Sequence, residues 1–283
     1  MLDRVGLDNR PLALLAGLDR PQLFAGLFLL GCANGLAIRV GRTVSEQGWL
    51  DAAFGTFDIS LIVLAACFAA ILLLFRDRTA QIGKTDIVVA ALFVTLVLPP
   101  ITSLSWFAIA ALSLYILIFT DAGDSGRRGA IILLATTVPM LWAPLLFNFF
   151  SKVILDFDAT LVAVVLDSDR VGNFVEFADH SGNLVVFPGC SSLPNMTLAF
   201  LCWITLNELV GHKWRPIDLL WCLLVTCTVL AVNVARISLM GLNHDYYRAL
   251  HSPVGETAIN AVIFGVTLGI CVLGSKREIL SRA

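Results

Sequence analysis

Charge is what this sequence has least of. Only 14% of its 283 residues are charged, while 58% are hydrophobic and the mean hydropathy is +0.87. A soluble domain carries about 25% charged residues, so 19 Lys and Arg with 21 Asp and Glu are too few to coat a water-facing core of this length. A large soluble catalytic domain is excluded. A basic surplus is lacking too: the net charge is -2 and the isoelectric point near 6.1. Nothing is left over to neutralise a phosphate backbone, and nucleic acid is not expected as a partner. The seven cysteines are odd in number and show neither CxxC nor Cys/His ligand spacing, which argues against a disulfide framework or a zinc site. Internal repeats and low-complexity tracts are also missing, as is the pair of matched broken helices expected of an inverted-repeat transporter.

Apolar sequence is what the chain has in quantity. A helix needs about 20 such residues to cross the hydrocarbon and satisfy its own backbone. Eight stretches are candidates: 22–38, 58–75, 86–99, 101–119, 129–150, 190–209, 217–239 and 255–274. The third is short and parted from the fourth only by Pro99 and Pro100. The first is too long, and followed by too many others, for a removed signal peptide. The expected fold class is an all-α polytopic membrane protein with about eight transmembrane helices. Positively charged loops stay cytoplasmic, and an inside N-terminus puts 13 of the 19 Lys and Arg in 1–21, 76–85, 120–128, 210–216 and 275–283. Both termini are therefore expected inside.

Three regions follow: a transmembrane bundle of about five spans over 1–150, a small extracytoplasmic segment over 151–189, and three further spans over 190–283. In the middle region, 152–166 is an apolar stretch broken by Asp156 and Asp158, fitting either an interfacial helix or an extension of the fifth span. The runs 173–177 and 184–187, around the turn Asp179-His180-Ser181-Gly182-Asn183, predict a β-hairpin.

Polar groups in or at the mouth of apolar spans are costly, so they are candidates for function. Six cysteines, Cys32, Cys67, Cys202, Cys222, Cys227 and Cys271, fall within expected spans, which leaves Cys190 as the one thiol at an outer helix start. A helix N-terminus favours a thiolate through its free amides, and the thiolate is the nucleophilic form; the bland reading of Cys190 is a small interfacial residue. Arg236 lies late in the seventh span, three residues after Asn233 and on the same face. It is either a snorkelling anchor or a cation held in a polar interior. His251, in the loop 243–254, is either solvated or a base, with His180, His212 and His244 as comparators. The expected topology places Cys190, Arg236 and His251 on one membrane face. A Cys nucleophile, a His to carry a proton and an Arg to hold oxyanion charge are the parts of thiol acyl transfer.

Three short motifs in order, Cys190-Ser191-Ser192, Asn233-Val234-Ala235-Arg236 and His251-Ser252-Pro253-Val254-Gly255, resemble those of the exosortases and archaeosortases, polytopic membrane transpeptidases. The likeness covers about 170–274, and His251 resembles the bacterial type. One residue departs from the pattern: Ser192 stands where the family usually has Gly, adding a Cβ and a hydroxyl, and Ser192 is a candidate N-cap ahead of Pro194. The resemblance implies a cysteine peptidase of the inner cell membrane whose active site faces the periplasm. Its catalytic residues would be Cys190, Arg236 and His251, supported by Ser191 and Asn233. It implies as partners exported proteins anchored by a C-terminal sorting signal of motif, transmembrane helix and basic tail, together with an unspecified acceptor, and it calls for no cofactor or metal. Two other readings remain: a transporter or channel with an anion-binding Asn233/Arg236 face, and a catalytically inactive binder of membrane-anchored tails, which Ser192 favours.

Overall fold

The computed structural model describes residues 18–78 and 80–275. Arg4, Arg10, Lys276, Arg277 and Arg282, which enter the charge count above, lie outside the described residues. Among the described residues the chain is almost entirely helical. It has six helical segments long and apolar enough to cross a membrane: Arg20–Gln47, Thr102–Phe119, Asp124–Leu166, Pro188–Val210, Pro216–Met240 and Thr257–Gly274. It is an α-helical, multi-pass membrane protein. Two further apolar stretches form shorter helices, Leu61–Phe75 and Lys84–Val97. At about 1.5 Å per residue, 14 or 15 residues span only some 21–22 Å of a hydrocarbon layer about 30 Å thick.

The chain divides into two compact units, one comprising Met1–Ile59 with Cys67–Leu134, the other Ser60–Ala66 with Ala135–Ala283. The division falls inside the expected fifth span rather than at 150/151, and the 151–189 segment belongs to the same unit as the spans that follow it.

In the first unit, α1 (Arg20–Gln47) leads through the short α2 (Trp49–Phe54) and a 3₁₀ turn toward α3 (Leu61–Phe75); α4 (Lys84–Val97) and α5 (Thr102–Phe119) follow, then the start of α6 (Asp124–Thr137). α1 packs against α4 and α5. The break at Pro99–Pro100 is bound from α1: the Asn34 carboxamide donates to Val97 O (2.9 Å), Pro99 O (3.3 Å) and Ser105 Oγ (2.9 Å). Carbonyls at the break between α4 and α5 thus find a donor inside the bundle.

In the second unit, α6 passes through a π-helical turn (Val138–Trp142) into α7 (Ala143–Leu166). Pro139 and Pro144 each lack an amide hydrogen, which loosens the helical ladder there; α7 then kinks at Phe150 (φ -123°, ψ 22°). The 43-residue segment Asp124–Leu166 is about 65 Å long at 1.5 Å per residue, twice the hydrocarbon thickness. The stretch 152–166 is helical and follows the span without a loop, beyond the Phe150 kink.

Next come three short antiparallel strands, β1 (Arg170–Val171), β2 (Phe174–Glu176) and β3 (Asn183–Val185), in the order β1-β2-β3. Phe174 pairs with Val185, Val175 with Leu184 and Glu176 with Asn183, which is the hairpin expected from the sequence. β1 is an added strand, two residues long and fully exposed, so it carries no apolar alternation to betray it.

A 3₁₀ turn (Pro188–Cys190) opens onto α8 (Ser192–Val210), followed by α9 (Pro216–Met240), α10 (His244–Leu250) and α11 (Pro253–Gly274). α8 packs on α9 and α11, and α9 on α7, α10 and α11. The periodicities explain the core around Cys190. Leu155, Ala159, Val162 and Ala163 recur at helical spacing on α7, while Val175 and Phe177, and Leu184 and Val186, alternate onto one face of the hairpin. With Val234, Ile237 and Met240 of α9, these bury Cys190.

Segment 243–254, expected as a loop, contains α10. Asn243 is the reason: its Oδ1 accepts from the amides of Asp245 and Tyr246, both at 3.0 Å, capping a helix N-terminus. The turn from α10 into α11 depends on Gly255, where a Cβ would run into the carbonyl oxygen of Ala249 and lie 2.8 Å from Leu250 Cα. The His-x-x-x-Gly spacing thus has a backbone cause: its glycine lets two helices meet at a sharp corner.

Candidate functional site

The Cys190–Ser192 segment is gripped from two helices. From α9, Asn233 Nδ2 donates to Cys190 O at 2.8 Å and to Ser192 Oγ at 3.0 Å. From α7, Asp158 Oδ2 accepts from the Ser192 amide at 3.0 Å. Asn233 is fully buried and Asp158 is 1% exposed. The first two motifs, more than 40 residues apart, are therefore joined directly.

Ser191, not Ser192, caps α8. The Ser191 hydroxyl accepts from the Leu193 amide at 3.3 Å, and Ser192 is the first residue of the helix. The reason is geometric: the capping residue must be extended, as Ser191 is (φ -60°, ψ 142°). Ser192 has a different use, since its hydroxyl accepts Asn233's second bond. The Ser192 side chain is thus built into the joint.

This arrangement corrects one expectation. A thiolate at a helix N-terminus draws on free amides, but the Ser192 amide is bonded to Asp158, the Leu193 amide to Ser191 Oγ, and Pro194 has none. A positive charge is carried by Arg236, one turn beyond Asn233 on α9. Its residue is 8% exposed, and its Nε is buried with no hydrogen-bond partner among the described residues, as is Asn233 Oδ1. A buried guanidinium with free donors is primed to receive an oxyanion, a carbonyl or an anion.

Cys190 itself is 8% exposed. Tyr247 and Leu250 of α10 pack against the cluster that holds it. His251 ends α10 and is exposed, its ring stacked on Tyr247 with centroids 5.2 Å apart and planes 10° from parallel. His244 stacks on the same tyrosine at 5.9 Å. Among the described residues His251 makes no side-chain hydrogen bond. The structure thus brings Cys190, Ser191, Ser192 and Asn233 together, places Arg236 one turn beyond Asn233, and links His251 to the cluster only through Tyr247. His244, sharing that tyrosine, is not an independent comparator; His180, out on the hairpin, is.

Asp158 was not singled out from the sequence, where it read as a break in an apolar stretch. The signal was there: it stands three residues after Leu155 and four before Val162, in the buried stripe of α7. An acid in such a stripe is a candidate for a polar contact.

At the other end of α8 a second buried polar group surrounds the turn into α9. His212 Nε2 lies 2.8 Å from Asp218 Oδ2, and Trp214 Nε1 donates to Glu208 Oε1 at 2.8 Å. The Asp218 carboxylate also accepts from the Arg215 amide at 2.5 Å, which ties off the first turn of α9. No family model, curated protein or solved structure matches this chain.

Proposed function

We propose that this protein is a membrane-embedded cysteine transpeptidase that cleaves the C-terminal sorting signal of exported, membrane-anchored proteins. The observation that carries the reading is the Asn233 carboxamide bonded to both Cys190 O and Ser192 Oγ, with Arg236, three residues further along the same helix, buried and without a hydrogen-bond partner at Nε among the described residues. It supports a nucleophile tied to the helix that carries an oxyanion donor. In this reading the Cys190 thiol passes its proton to His251 and the sulfur attacks the scissile carbonyl carbon. The tetrahedral oxyanion is held by Arg236, and collapse breaks the C–N bond as His251 returns the proton to the leaving amine. An amine acceptor, or water, then opens the thioester. Because α10 packs Tyr247 and Leu250 over the cluster, it is the element that has to shift for His251 to reach the sulfur; catalytic contacts often tighten only in the substrate complex.

The same reading places eight helices across the inner membrane with both termini cytoplasmic, 151–189 and 243–254 outside, and 210–216 inside. A bilayer-anchored substrate explains a reactive group set among helices at a membrane surface. The unpaired Arg236 would also suit an anion carrier, but Asn233, the other half of that polar face, has both its amide hydrogens committed to the Cys190 segment.

The test follows a co-expressed exported protein ending in motif, transmembrane helix and basic tail, with loss of the tail read by mass. Replacement of Cys190 by Ala should leave a stable membrane protein and abolish tail removal. Parental processing by the Cys190→Ala variant, or an equal loss in Cys222→Ala, would overturn the assignment, as would reporter fusions placing His212 and His251 on one side of the membrane.

A further inference from the structure

Two ionisable side chains are buried on the helices that hold the Cys190 segment, and neither is ion-paired among the described residues. Arg236 comes from α9, and Asp158, from α7, makes its one hydrogen bond to the Ser192 amide. An apolar residue at 158 would simply extend the stripe formed by Leu155, Ala159 and Val162. A carboxylate there is costly to bury, and it lies on the one amide whose position determines where the Cys190 segment joins α8.

We propose that Asp158 is a positioning residue for the Cys190 nucleophile. Asn233 holds the segment at the Cys190 carbonyl, and Asp158 holds it at the Ser192 amide from the opposite helix. One anchor leaves a peptide segment free to pivot about it, whereas two on different elements define both its place and its rotation. The functional part of this inference rests on the reading of Cys190 as nucleophile; the anchoring part rests on the hydrogen bonds alone.

The experiment is alkylation by N-ethylmaleimide of the full-length protein in native membranes, quantified by mass spectrometry at each cysteine, with no substrate added. Asp158→Ala should raise the Cys190 rate about tenfold or more, the equivalent of one lost buried hydrogen bond, while buried Cys202 and Cys271 stay at their parental rates. Asp158→Asn, which keeps an oxygen acceptor for the Ser192 amide, should return Cys190 to within about threefold of the parent by restoring that bond. Asp158→Leu, which fills the stripe, replaces the Ala variant if that one does not accumulate, with the same expected rise. An unchanged Cys190 rate in the variant lacking the acceptor overturns the proposal. So does a rise at Cys202 and Cys271 in step with Cys190, which marks general loosening, or an Asn variant no closer to the parent than Ala or Leu. Processing by the parent without an Asp158 effect overturns this inference alone; an Asp158 effect in a parent that processes no tailed substrate overturns the transpeptidase reading and the functional part of the inference, and leaves the anchoring part standing.

Discussion

Replacing Asn233 by Leu cuts the join between α9 and the Cys190 segment while nearly preserving volume. The carboxamide makes two buried bonds, 2.8 Å to Cys190 O and 3.0 Å to Ser192 Oγ, and its removal strands both acceptors. A buried acceptor left without a donor costs about 1–3 kcal/mol, so two stranded acceptors should cost the variant about 2–6 kcal/mol, discounted toward the lower figure because the Ser192 hydroxyl can rotate to another partner. Ser192→Ala removes only one of the two bonds and should cost about 1 kcal/mol. The double variant should then cost less than the sum of the two, by about 1 kcal/mol, because the bond they share can be lost only once. Reversible unfolding in mixed micelles measures all three variants, with tail removal followed in parallel. Additive costs in the double variant, or an Asn233→Leu protein within about 0.5 kcal/mol of the parent, would refute the proposed joint.

Arg236→Lys separates oxyanion donor from snorkelling anchor: a lysine keeps the charge but not the planar pair of donors, so tail removal should fall about 10²- to 10³-fold at parental expression, and near-parental cleavage would make Arg236 an anchor. His251→Ala should slow processing about 10²- to 10⁴-fold while His180→Ala leaves it unchanged; equal effects would return His251 to a solvated role. Gly255→Ala should force α10 and α11 apart, because the new methyl meets backbone rather than a movable side chain; faster alkylation of Cys190 is expected, and a parental rate would mean the α10–α11 corner does not control access to the sulfur. On the hairpin, His180 Nδ1 lies 2.9 Å from Glu176 Oε1, and that hydrogen bond, followed by the carboxylate's charge, raises the His180 pKa. A raised value in the folded state means the contact supports the hairpin while His180 is protonated and is lost as pH rises through it; amide protection factors in 179–183, corrected for intrinsic exchange, should fall over that interval, and Glu176→Gln should abolish that fall.

Local sequence was enough to locate the long helices and the hairpin of this protein, but neither α10 nor β1. Apolar runs located every long helix, because a chain in lipid has to satisfy its backbone within each span. The alternation of Val175 and Phe177 with Leu184 and Val186 marked the hairpin, because strand side chains point to opposite faces in turn. The order of Cys190, Asn233, Arg236 and His251 was legible in the same way. Tertiary structure decided what these residues touch. Asp158 reaches the Ser192 amide across 34 positions and Asn233 reaches Cys190 across 43, separations at which no periodicity carries information. Ser191 rather than Ser192 became the cap because backbone angle, not residue type, selects between two adjacent serines. Whether Cys190 is open or covered depended on where α10 folds back, and that turned on the absence of a Cβ at Gly255 and on a tyrosine ring shared by two histidines. Hydrophobic pattern acts through neighbours within a few residues and so can be read along the chain, whereas a buried charge is placed by partners that only folding brings within 3 Å.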